Sequence, residues 1–298
     1  MNCWAAAGRK PDTWAHIINA MESMLILTDF SEGAFRAAEY ACGLTGPLQI
    51  NRVVLYHAFQ TVVGGAEIPV TQDGQQIYLE SMQELGLLHD RVKSLVDSTV
   101  TIDLIAEDAY LSERVNTLCE EQSIDIIAVG VSGKSGLEKL LVGSTTTQIQ
   151  RTSAYPLLIV PEEALIGGAL AKVVFTTDLK DLPVKQANRL LEILNAFRPE
   201  LHVVNVRYEG EDRNAAESDA DLSVLRSTFA QYDPKFHFIE GDDTTAQILA
   251  FSQLHNASMI VAVHRKHGFL SGLFHQSVAG KLARNSRIPV LNLPGFDS

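Results

Sequence analysis

Short unbroken apolar runs recur along the chain: MLIL at 24–27, VVLY at 53–56, IDLIA at 102–106, IDIIAV at 124–129 and LLIV at 157–160. They show little alternation of apolar and polar residues. That is the pattern of strands covered on both faces, as in a parallel sheet. Strands are predicted near 24–28, 51–58, 99–105, 124–130 and 156–160. Helical periodicity fills about 32–44, 75–97, 109–122 and 144–153. Strand–helix alternation with right-handed crossovers predicts a doubly wound α/β layer fold. The segment 60–74, QTVVGGAEIPVTQDG, breaks the pattern and reads either as a lid or, preferably, as a tolerated insertion.

The pattern then repeats. MLILTDFSEGAFRAAEYACGL at 24–44 is echoed by KVVFTTDLKDLPVKQANRLLEIL at 172–194, and INRVVLYHAFQ at 50–60 by ELHVVNVRYEG at 200–210. SIDIIAVGVSG at 123–133 is echoed by NASMIVAVHRKHG at 256–268, and YPLLIVP at 155–161 by IPVLNLP at 288–294. The order is kept, so the chain is a tandem duplication. Two α/β domains with parallel sheets are expected, over 24–163 and 170–298, joined near the Gly-Gly at 167–168. Residues 1–23 stand apart as an N-terminal extension with no secretory h-region. They read either as an over-long start ahead of Met24 or as a short amphipathic helix around TWAHIINAM.

Composition narrows the function classes. Apolar residues make up 46% and charged residues 20% of 298, a globular balance with ample core. The net charge of −12 argues against a broad nucleic-acid surface, which needs clustered Lys and Arg. No apolar run approaches the roughly 20 residues of a membrane span. Cys3, Cys42 and Cys119 lie far apart, with neither disulfide framework nor zinc spacing, which points to a reducing, cytoplasmic setting.

Candidate chemistry concentrates in AVGVSGKSGLEKLLVGSTTTQ at 128–148. Ala128–Ser135 reads A-x4-G-K-S, close to a Walker A loop, and would make the chain an ATPase or kinase. A Walker loop follows the first strand, however, and this one follows the fourth. The next strand, LLIVP, has no Asp for a magnesium ion. A longer spacing fits better: Gly130, Gly133, Gly143 and Ser144 spell G-x2-G-x9-G-S. Gly130 and Gly133 fall at the carboxyl end of a strand, where open α/β sheets place ligands. Bare glycines would let backbone approach a ribose or phosphate. Gly143 and Ser144 fall at a predicted helix start, with free N–H groups suited to an anion. The hydroxyls of Ser144 and Thr145 add donors, and Asp29, ending the first strand, offers an acceptor to an adenosine. The plain alternatives are an N-cap role for Asp29, a turn and cap at Gly143-Ser144, and a solvated Lys134.

The glycine spacing, with ILTDFSE at 26–32 and VVLYHAF at 53–59 ahead of it, resembles the universal stress protein family over residues 24–298 in tandem form. The resemblance implies two Rossmann-like domains of the adenine nucleotide alpha hydrolase type. It implies ATP as ligand, with any magnesium ion entering through the phosphates, and the Ala58 backbone facing the adenine. The resemblance further implies a regulatory stress-response protein with a protein client, with at most slow ATP hydrolysis. Its two domains would pair as a pseudo-dimer through their last strands, and the chain could also form a homodimer. A module that binds no nucleotide is the other alternative.

The second half departs from this pattern. Asp178 matches Asp29, but His264 is aligned with Gly130, and Gln276-Ser277 replaces Gly143-Ser144. One competent nucleotide site, in the first half, is expected. His264, His267 and His275 suggest a zinc set, and with Arg265 and Lys266 an anion site. The bland reading, a solvated loop, is preferred to both.

Overall fold

The structure is a computed structural model. It describes residues 21–61, 74–131, 148–150, 152–167, 170–179, 182, 184–207, 215–264, 278, 281–282 and 285–294, with backbone alone for 215–221 and 264. Gly133, Gly143, Ser144 and Thr145 lie outside the described residues. So do Lys134, the segment 62–73, residues 1–20 and the loop 265–277.

Ten strands form one sheet. They are β1 (Ser23–Leu27), β2 (Arg52–Phe59), β3 (Thr101–Asp108), β4 (Ile126–Val131) and β5 (Leu157–Pro161) in the first half. The second half supplies β6 (Lys172–Thr176), β7 (Glu200–Arg207), β8 (Lys235–Glu240), β9 (Met259–His264) and β10 (Val290–Pro294). The order is β3-β2-β1-β4-β5-β10-β9-β6-β7-β8. Each half is parallel throughout, and the halves join through β5 and β10, which pair antiparallel with Leu158 opposite Leu291. The chain is thus α/β, two doubly wound units with their last strands side by side. The antiparallel joint points the carboxyl ends of the two half-sheets in opposite directions.

The helices follow the expected alternation: α1 (Glu32–Leu48), α2 (Gly74–Val92), α3 (Leu111–Glu121), α4 (Val184–Phe197), α5 (Ala215–Thr228) and α6 (Thr244–Leu254). Ser31 caps α1, its hydroxyl accepting from Ala34 N at 3.2 Å. The helix was expected to stop near residue 44, ahead of Gly46-Pro47. It runs on to Leu48 because Leu44 and Leu48 are both buried. It ends at Gln49, in the left-handed region at φ 58°, whose N–H reaches Gly46 O. Among the described residues no helix is long and apolar enough to cross a membrane.

Adjacent strand residues bury on opposite faces, as the unbroken apolar runs require. Leu25 and Ile127 lie in a core on one face that belongs to the first half alone, and Val174 and Ile260 in its counterpart in the second. The other face carries one core shared by both halves, with Ile26 and Val160 from the first and Phe175 and Leu293 from the second. Met21 is already packed in that shared core, ahead of β1.

Candidate nucleotide crevice

In an open α/β sheet the ligand crevice lies beyond the carboxyl ends of the strands where the strand order reverses. Here that point is β1, flanked by β2 and β4. Leu27 pairs with Tyr56 on one side and with Val129 on the other. Three of the expected site residues, Asp29, Ala58 and Gly130, therefore come together at one end of three adjacent strands. Asp29 is exposed and Ala58 half-buried.

The turn after β1 is held locally. Thr28 Oγ1 accepts from Phe30 N at 3.0 Å, and Asp29 Oδ1 accepts from Ser31 N at 3.0 Å. Phe30 sits at φ 62°, a conformation these hydrogen bonds hold. Asp29 is therefore not the N-cap of α1; Ser31 is. One carboxylate oxygen of Asp29 is engaged in the turn, and its other oxygen accepts no hydrogen bond among the described residues.

Gly130 has a packing role that the sequence reading did not include. A Cβ there would lie 2.2 Å from Gly33 O and 2.8 Å from Ala34 N. The space beside Gly130 is filled by the first turn of α1, so the bare glycine seats that helix on β4.

One residue of the crevice escaped the sequence reading. His57, on β2, is half-buried, and its Nδ1 lies 2.8 Å from Thr28 O. A carbonyl only accepts, so Nδ1 carries the proton and donates. The imidazole also lies 4.4 Å from the Phe30 ring. In the second half Asn205 Nδ2 donates to Thr177 O at 2.9 Å. The repeat contained the signal: a polar residue at the same place in LYHAF and VVNVR, within otherwise apolar strands. Deeper in the site, Tyr56 Oη donates to Glu107 Oε2 at 3.0 Å, and Arg114 Nε pairs with the same carboxylate at 2.9 Å. Burial, then the Glu107 charge, pushes the Tyr56 hydroxyl above its ordinary pKa, so it stays a neutral donor.

Register corrects the comparison of the halves. Met24 pairs with Ile126, and Val173 with Met259. Counting on from these pairs puts Val263, not His264, at the position of Gly130. A valine Cβ occupies a place where the first half has no room for one. Among the described residues α4 begins at Val184, which matches Phe35, inside α1. Asp178 follows β6 as Asp29 follows β1, and Leu179 repeats the φ of 62°. Yet Asp178 is buried while Asp29 is exposed. Among the described residues no group of His, Cys, Asp and Glu could hold a metal ion. The suggested zinc set falls largely in the loop 265–277, outside them.

The model of the universal stress protein family matches the chain twice, over residues 21–161 and 171–294. No curated protein sequence matches it. Among solved structures, a universal stress protein from Archaeoglobus fulgidus DSM 4304 superimposes with a TM-score of 0.69 at 19% identity, covering 93% of this chain and 97% of that one. A protein from Pseudomonas aeruginosa UCBPP-PA14 gives a TM-score of 0.61 at 15% identity, with 93% and 94% covered. At such identities these likenesses concern the fold. The double match covers most of the sequence, in the order and positions of the repeat: the chain belongs to the universal stress protein family and carries two copies of its domain.

Proposed function

We propose that the protein is a nucleotide-responsive regulator with one ATP site per chain, in the first half. The observation that carries this is the contrast between the matched carboxylates: Asp29 is open to solvent at the switch point of its half-sheet, and Asp178 is buried in the other. Asp29 and the Ala58 backbone would take the adenosine end. Gly133, Gly143, Ser144 and Thr145 would take the phosphates, with magnesium entering on them. Among the described residues around the crevice, the hydroxyl Tyr56 and the carboxylate Glu107 are tied to each other and to Arg114. Hydrolysis, if present, is slow, and the output passes to a protein client.

Titration with a non-hydrolysable ATP analogue is expected to saturate at one nucleotide per chain. Asp29→Ala should abolish that binding, as should Gly143→Val combined with Ser144→Ala, while Asp178→Ala leaves it intact. Two sites per chain, or loss of binding with Asp178→Ala alone, would overturn the assignment. Lys134→Ala separates this reading from a Walker-type enzyme, which could not lose that lysine and keep its phosphate contact.

A further inference from the structure

The two halves meet on both sides of the β5–β10 joint, at matched positions that carry different residues. On one side Arg189 of α4 crosses the seam to Asp125, Nη2 to Oδ1 at 3.0 Å, and also pairs with Glu192 at 3.0 Å. The other Asp125 oxygen accepts from Glu22 N and Ser23 N, at 2.9 and 3.2 Å. The ion pair closes the seam between the halves on this side, leaving a void of only about 10 Å³ beside Arg189, while the hollow of about 430 Å³ on the other flank of Asp125 is lined by first-half residues alone. On the opposite side Tyr40 of α1 matches Arg189, and Ser258 matches Asp125. Ser258 Oγ repeats the backbone clamp, accepting from Ala171 N at 3.2 Å. It has no charge to draw a partner across, and the seam stays open as a cavity of about 350 Å³.

The walls of this cavity define a chemistry. Its volume falls at the small end of ligand pockets, roughly 300–1,000 Å³. No acidic side chain lines it, in a chain of net charge −12. Arg287 stands at its rim, exposed, and makes no ion pair or hydrogen bond among the described residues. The matched residue on the sealed side is Ala154, which bears no charge. Tyr40 and Ser252 also line the cavity, and both hydroxyls are buried without a hydrogen-bond partner. Buried polar groups are nearly always paired, so two orphans in one wall need an explanation. Burial raises the Tyr40 pKa, which keeps it a neutral donor. Leu165 is 84% exposed at the mouth, an apolar side chain facing water.

We propose that this seam cavity is a second ligand site, separate from the nucleotide crevice, for a small organic anion with an apolar body. The charged end meets Arg287, and the body lies against Leu165, Leu170, Ile288 and Pro289. Because the walls come from both halves and the connector, an occupant braces one half against the other on the side that lacks the ion pair.

Calorimetric titration of the full chain with sodium octanoate tests this, with 1-octanol as the uncharged comparison. One saturable site is expected, with octanol bound at least tenfold more weakly. Arg287→Glu should weaken octanoate at least tenfold, and Gln253→Trp at the rim should block it. Ala154→Glu, the matched change on the sealed side, should leave affinity unchanged, as should saturating ATP. Arg287, Gln253 and Ala154 are all exposed, so these variants fold, which circular dichroism checks. The proposal is overturned by absence of saturable octanoate binding, by wild-type affinity in Arg287→Glu, or by displacement with ATP. Failure of the ATP titration would leave this site standing, since the two share no residue.

Discussion

Gly130 is a position where a single methyl group matters. The Cβ of an alanine there would sit 2.2 Å from Gly33 O, and the obstacle is helix backbone rather than a side-chain tip that can swing away. Gly130→Ala should therefore cost about 1–3 kcal/mol, as overpacking does elsewhere. Urea unfolding followed by circular dichroism measures it. The matched change Val263→Ala, where the chain already accommodates a Cβ, should not show that backbone clash and should cost only the lost methyl groups, of order 1–2 kcal/mol. Gly130→Ala should also disturb ATP binding by shifting α1 and the turn at Asp29. A variant as stable as the parent would refute the packing role. His57 works at the same scale. His57→Asn keeps a donor toward Thr28 O, as Asn205 does in the second half, so it should be tolerated. His57→Leu strands that carbonyl and should cost roughly 1–3 kcal/mol.

Among elements, the contact most sensitive to conditions lies at the amino ends of β7 and β8, under the end of α6. His202 is buried, with Nε2 at 2.9 Å from Glu200 Oε1 and Nδ1 at 3.0 Å from His237 Nε2. The carboxylate takes the Nε2 proton, so neutral His202 accepts from His237 at Nδ1. His255, at the end of α6, lies 5.1 Å from the His202 ring, and Phe251 stacks on it at 4.1 Å. Lys235 adds a positive charge through Glu200. Burial lowers the His202 pKa, with Glu200 opposing it and His255 and Lys235 assisting. Burial lowers His237 as well, and the charges of His202, His255 and Lys235 add to it. Both groups bind protons more readily unfolded than folded. Stability is then full above the unfolded value, about 6.5, and is lost as pH falls through it toward the lower folded values. Thermal unfolding at pH 5.5 should begin well below its onset at pH 7.5. In His202→Gln/His237→Gln that dependence should flatten, and an unchanged pH profile in the double variant would remove the cluster as its source.

For the whole molecule, the decisive feature is that the halves share one core and one sheet. Ile26, Val160, Phe175 and Leu293 belong to a single apolar cluster across β5 and β10. Heat or urea should unfold both halves in one transition, seen as coincident curves from circular dichroism and from a probe in either half. Separated halves would expose the β5 or β10 edge beside the cut core, and the 24–163 fragment should self-associate rather than stay monomeric. Arg189 is the polar part of the same joint. Arg189→Ala leaves Glu192, whose carboxyl burial already pushes upward in pKa, without its counter-charge. It also frees Asp125 across the seam. A loss of about 3 kcal/mol is expected, and Arg189→Lys should recover only part of it, because one ammonium cannot reproduce the forked contact.

The unbroken apolar runs determined the strands, and the alternation of runs with helical stretches determined the layer fold. The echo of one half in the other determined the duplication. Those are local properties, carried by residue period and order, and they survive without knowledge of what packs on what. The same double-sided burial hid the register. A strand covered on both faces has no polar face to align by, so sliding AVGV against VAVH by one residue leaves the pattern equally good. Only the β6–β9 hydrogen bonds place Val263, not His264, opposite the position of Gly130. Asp29 and Asp178 look alike in sequence, and only the packing around them makes one exposed and the other buried. Likewise Tyr40, Arg189, Asp125 and Ser258 are unremarkable apart. The antiparallel meeting of β5 and β10 brings them together as two sides of one joint, one sealed by charge and the other left open.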